Sequence, residues 1–125
     1  MQIFRSGLPV KAHNVDELRA QIQFRDSSGF ASFWLWHDNG AEMAVMLNGQ
    51  QAHIHFFPND GSEGAYSLAT VPPEHPEETV EFVANTGEPN PVRRRMVIDM
   101  PSAEEAIIFF FKTGERSDKL TWEDM

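Results

Sequence analysis

The sequence predicts an α+β fold: a mainly antiparallel sheet with a hairpin meander, packed on one face by two helices, one N-terminal and one C-terminal. Three observations carry this. Residues 30–57 read as three apolar, β-rich runs broken at Asn39-Gly40 and Asn48-Gly49. An Asn-Gly pair between such runs is a strong hairpin signal, because both turn residues must accept positive φ. Asn14 and Ser102 each stand three residues before a glutamate, Glu17 and Glu105, the spacing of a helix-capping box. The chain of 125 residues has no cysteine, so it is read as one domain, 1–125, held by its core rather than by disulfides.

Along the chain, Ile3, Phe4, Leu8 and Val10 around Gly7 and Pro9 fit a short edge strand or a packed arm. From Asn14, the narrow apolar stripe Val15, Leu18 and Ile22 predicts a helix to about Phe24. Three strands follow. Taking each Asn-Gly as a two-residue loop pairs Trp36 with Met43, Trp34 with Val45, Val45 with Ala52 and Met43 with Ile54. One face then carries Trp34, Trp36, Met43, Val45, Leu47, Ala52, Ile54 and Phe56, and is expected to receive the C-terminal helix. The opposite face is mixed.

Beyond the meander, residues 65–70 fit a short strand, and Pro72, Pro73 and Pro76 with Glu74, Glu77 and Glu78 a stiff acidic connection. Val80, Phe82 and Ala84 alternate as a strand, and residues 92–100 give another, whose Arg93, Arg94 and Arg95 are exposed or paired with nearby glutamates. The stretch PSAEEAIIFFFKTG is the main helix, entered at Pro101, capped by Ser102 and ended by Gly114. Residues 120–122 close as a last strand.

Acidic residues outnumber basic ones by 19 to 10, for a net charge of −9. That sign disfavours nucleic acid as a direct ligand and suits a basic partner; acidity for solubility alone is the plain alternative. No apolar run has the length of a signal peptide or a membrane span, so a cytoplasmic protein without membrane contact is expected. No nucleophile elbow, phosphate-binding loop, dinucleotide fingerprint or metalloprotease pair is present. The assumed register does place Glu42 opposite both His37 and His55, with His53 along the same strand, a row that resembles a metal or acid/base site on paper. Polar pairing on a half-exposed sheet is the competing reading. The run Glu74, Glu77, Glu78 and Glu81 is likewise either a solvated edge or a face for cationic protein surface.

The segments GFASFWLWHDNG, AVMLNGQQAHIHFF and EEAIIFFFKTGERSDKLTWEDM together resemble the first-numbered family of bacterial polymorphic-toxin immunity proteins. There, a strand with an LHYF-like segment, here Ile54, His55, Phe56 and Phe57, precedes a helix ending in an FF.TG pattern, here Phe110, Phe111, Thr113 and Gly114. A terminal strand with a tryptophan and acidic residues follows, here Trp122 and Glu123. The resemblance spans about residue 30 to the C-terminus. It departs where the family commonly has a proline shortly after the glycine and this chain has Glu115, Arg116, Ser117 and Asp118.

The resemblance implies an α+β inhibitor that binds and neutralises a cognate toxin domain, often a nucleic-acid deaminase, with no catalytic residues, metal or cofactor of its own. A deaminase working on nucleic acid needs a basic groove, so an acidic inhibitor would be steered to it. The partner-binding residues expected on that reading are Asp60, Glu63, Glu74, Glu77 and Glu78, with His53 and His55 at the polar end of the mixed face. Two alternatives stand beside it: a small metal-dependent or acid/base enzyme using His37, Glu42, His53 and His55, or an unrelated protein-interaction adaptor. The sequence is silent on oligomeric state.

Overall fold

Hairpin chemistry and two capped helices build the molecule. The computed structural model of the chain describes residues 1–5, 8–84 and 86–125. The strands are β1 (Gln2–Arg5), β2 (Leu8–Lys11), β3 (Phe30–Trp36), β4 (Glu42–Asn48), β5 (Gln51–Phe57), β6 (Ala65–Leu68), β7 (Thr79–Val80), β8 (Val92–Arg93), β9 (Ile98–Asp99) and β10 (Thr121–Asp124). The helices are α1 (Val15–Ile22) and α2 (Met100–Thr113). Among the described residues, the main sheet has eight strands in the order β10-β6-β5-β4-β3-β1-β2, and β9 also pairs with β5. All its pairings are antiparallel. Pro9 and Lys11 stand on one edge strand, β2; Glu123 and Asp124 stand on the other, β10.

Asn14 caps α1 as its spacing predicts: its Oδ1 accepts the Glu17 N–H at 2.9 Å, and its amide donates to Glu17 Oε2 at 3.1 Å. The cap of α2 lies one turn earlier than Ser102. Asp99 Oδ1 accepts the Ser102 N–H at 2.8 Å, so Ser102 donates through its backbone and Pro101 falls in the first turn, where its missing N–H has no cost. Gly114 ends α2 in the left-handed conformation, φ 72°. A Cβ there would overlap the Asn39 side chain and crowd His37 Nδ1 at 2.8 Å, so the end of the helix is fitted against the β3–β4 loop.

The assumed register of β3 is wrong by one residue. Trp36 pairs with Glu42, Leu35 with Met43 and Phe33 with Val45. The connection is a three-residue loop: His37 N–H donates to Ala41 O at 2.9 Å and Gly40 N–H to His37 O at 3.0 Å, with Gly40 at φ 95°. Asn39 N–H donates to His37 Nδ1, and Ala41 N–H to Asn39 Oδ1. One extra loop residue turns the whole strand over. Trp34 and Trp36 therefore leave the helix-covered face, and Phe33 and Leu35 take their places. Between β4 and β5 the loop is Gly49-Gln50, with Asn48 opposite Gln51; the shift from the expected pairing is two residues, so the faces are kept.

The core is one layer between sheet and helices. Ile3, Phe33, Leu35, Met43, Val45, Leu47, Ala52, Ile54 and Phe56 meet Leu18 and Ile22 of α1 and Met100, Ala103, Ala106, Ile107 and Phe110 of α2. Residues 80–84 and 92–100 are not the continuous strands expected. They form the short β7–β8 ribbon, a bridge between Val83 and Pro89, a 3-10 turn at Arg94–Met96, and β9. The ribbon folds back over the other face of the sheet, where Val80, Phe82 and Val92 bury against Met46, Met96 and Val97.

Candidate functional site

Alternation along β3, β4 and β5 sends Trp34, Trp36, Glu42, Ala44, Met46, His53, His55 and Phe57 to the face away from the helices. The β7–β8 ribbon covers only the Met46 end. Beyond it runs a band of touching rings. Phe4 meets Trp36 edge-on at 5.0 Å, Trp36 lies 6.2 Å from Trp34, and Trp34 stacks on Phe57 at 5.5 Å. His55 sits 3.8 Å from Phe57 and 4.4 Å from Tyr66, which stacks on His53 at 5.4 Å. Glu42 Oε1 accepts the Trp34 indole N–H at 3.0 Å and the Trp36 indole N–H as well.

Where band and ribbon meet, a pocket of about 380 Å³ opens, with Trp34, Tyr66 and His55 among its aromatic lining and Ser32, His53, Thr86 and Asn90 among its polar groups. His53 is 6% exposed and donates through Nδ1 to Met96 O at 2.9 Å. The Ser67 hydroxyl donates to the same carbonyl at 3.2 Å and accepts the Ile54 N–H at 3.0 Å. The two side chains thus pin the 3-10 turn to the sheet. Burial lowers the His53 pKa against the opposing pull of Met96 O. For His55, burial first and His53 second push the pKa down to about 4, with the Glu63 backbone acting the other way. His55 Nε2 is buried and has no hydrogen-bond partner among the described residues.

The His-Glu-His row does not form. Glu42 faces Trp36 and Phe57 across the sheet, not His37 and His55. His37 has moved into the β3–β4 loop, where its ring packs on Phe110 at 5.8 Å, on the helix side. Among the described residues, no group of three or more His, Asp or Glu is placed to hold a metal ion.

The predicted acidic residues fall in separate places. Asp60 closes its own loop by accepting the Ser62 N–H at 2.8 Å, which lowers its pKa, and the exposed Glu63 lines a shallow recess with Glu115, Arg116 and Asp124. Glu77 pairs with Arg93 at 3.3 Å and Arg95 at 3.7 Å, and Glu78 with Arg94 at 3.9 Å. The arginine run thus balances these carboxylates, as the sequence suggested. Glu74 is exposed and makes no ion pair among the described residues.

No protein-family model matches the chain, and no curated protein matches it. No helix among the described residues is long and apolar enough to cross a membrane.

Trp34 and Trp36 are the part of this aromatic field that the assumed register puts on the wrong side; Glu42 and Phe57 stand on the mixed face, where it puts them. A usable signal existed. An indole N–H needs an acceptor, and the face that receives an Ile/Phe helix has none to offer, whereas Glu42 lies on the other face.

Proposed function

We propose that the chain is an immunity protein that binds a cognate bacterial polymorphic toxin and neutralises it, the toxin being a nucleic-acid deaminase whose active site is occluded. The observation that carries this reading is the sheet face opposite the helices. It presents half-buried Trp34, Trp36, Phe57 and Tyr66 with no helix of the described residues over them, on a chain of net charge −9. Tryptophan and tyrosine supply large, stiff contact area and are enriched where protein interfaces are strongest. A negative field adds steering toward the basic groove that a nucleic-acid enzyme needs. The likeness of the 30–57 and 104–125 segments to immunity proteins points to the same kind of partner.

The test is co-expression with the C-terminal toxin domain encoded beside the gene. Co-purification, loss of deamination and an association rate that drops steeply as ionic strength rises are the expected results. A fully active toxin that does not co-purify would sink the proposal.

A further inference from the structure

Glu42 is an unusual carboxylate in its setting. Its Oε1 takes both indole N–H groups, while Oε2 receives no hydrogen bond from the described residues, and none of the ion pairs among them includes Glu42. A single negative charge therefore stands among the rings of Trp34, Trp36, Phe4 and Phe57 with no cation of its own. The nearest arginine on the neighbouring strand, Arg5, pairs across from Phe33 and so points to the helix side; there it lies 4.3 Å over the Phe24 ring and donates to Gln21.

This arrangement selects its ligand by charge. Ring faces carry negative quadrupole, and donation of the indole N–H to a carboxylate makes each ring richer in electrons, so a cation gains from both. An apolar group covering the same spot would strip water from Oε2 and leave it unpaired, at the cost of burying a lone charge. Among cations, a guanidinium fits better than an ammonium: it is planar, weakly hydrated, stacks on rings, and reaches a carboxylate through paired N–H groups. The stacked Phe57 and edge-on Phe4 extend the apolar wall on either side, which suits the methylene stem of the same residue. Satisfying two indoles is by itself a structural role, but a neutral glutamine oxygen would serve it equally well; the charge is left over.

We propose that Trp34, Trp36 and Glu42 form a socket for an arginine side chain of a basic partner protein. The identity of that partner as a toxin rests on the function proposed above; the arginine specificity does not.

The experiment therefore needs no toxin. A hexa-arginine peptide is titrated into isotope-labelled protein while the three indole N–H resonances are followed, with a hexa-lysine peptide and the Glu42→Gln variant as comparisons. Trp122 is the internal control, since its indole donates to Ser117 O at 2.7 Å, away from this face. The Trp34 and Trp36 signals should move with hexa-arginine while Trp122 stays still. Affinity should be about threefold or more higher than for hexa-lysine, and Glu42→Gln, still folded by its dispersed spectrum, should lose about as much. Shifts confined to other residues, equal binding of the two peptides, or unchanged affinity in Glu42→Gln would each overturn the socket. They would leave the immunity proposal standing on its own co-purification test.

Discussion

The two faces of β3, β4 and β5 are both rich in aromatic residues, yet they are built for different purposes. The helix-covered face takes rings without polar atoms, Phe33 and Phe56 with Phe110 from α2, all buried. The opposite face gathers the rings that carry a donor or acceptor, Trp34, Trp36, His53, His55 and Tyr66, with Phe4 and Phe57 between and beside them. The donors and acceptors are satisfied locally by Glu42 and Met96 O or left half-open. A dry layer of phenylalanine and aliphatic residues can be packed without polar bookkeeping. A face of indoles and imidazoles must be supplied with partners, and the partners it retains decide what it can accept from outside.

This division can be broken from the helix side first. Phe110→Ala should cost about 3–5 kcal/mol in urea unfolding, because it empties the centre of the dry layer against Phe56 and His37. It should reduce binding only by unfolding the protein; a stable Phe110→Ala variant that no longer binds its partner would put function on the wrong face. Gly114→Ala should cost about 1–3 kcal/mol, since it combines a left-handed backbone position with overlap on the Asn39 side chain; thermal melts give the number.

On the other face, acid is the sharper tool. His55 is held neutral in the folded chain, its pKa lowered from 6.5 to about 4. Below pH 6.5 the unfolded chain therefore binds a proton that the folded chain refuses. The contribution is complete above that value, and is lost as the pH falls to about 4. A shift of this size is ~3 kcal/mol in full, and solvent access to the half-buried ring reduces it to about 1–2 kcal/mol. His55→Phe should flatten the stability profile over this window, and a profile parallel to wild type would contradict the assignment. The smallest effect belongs to the charged fringe: Glu77→Gln with Glu78→Gln should move the melting temperature by only about 1–2 °C, and not at all in about 1 M salt.

Local signals in the sequence were easy to read, and non-local ones less so. The Asn14 cap, the left-handed Gly114 and the apolar stripe of α2 depend on neighbours three or four residues away, and all three stand where the spacing put them. The α2 cap itself slid to Asp99, which has the same three-residue relation to Ser102 that Ser102 has to Glu105. The β3 register was lost because Asn39-Gly40 fits a two-residue or a three-residue loop equally well. The choice is made by hydrogen bonds inside the loop and by the indoles' need for Glu42, a contact between strands. Residues 80–84 suggest a longer strand because Val80, Phe82 and Ala84 alternate, yet Val80 and Phe82, with Val92 beside them, cover Met46 and Met96 and do not join the main sheet. The acidic run is legible as a counterweight to Arg93, Arg94 and Arg95, but which carboxylate meets which guanidinium is set only by the fold, which brings Glu77 to Arg93 and Arg95 and Glu78 to Arg94.

The two outermost strands set one more condition on any complex. At one border β2 has Pro9, which lacks an N–H to donate, and Lys11; at the other β10 has Glu123 and Asp124, engaged with Arg95 and Arg116. Proline and charge on an outermost strand discourage another chain from annealing there through its backbone. Continuation of the sheet into a neighbouring molecule is thereby disfavoured at both ends. A partner is left to recognise this protein broadside, through side chains, so its specificity can change by single substitutions without disturbing the hydrogen-bonded ladder beneath.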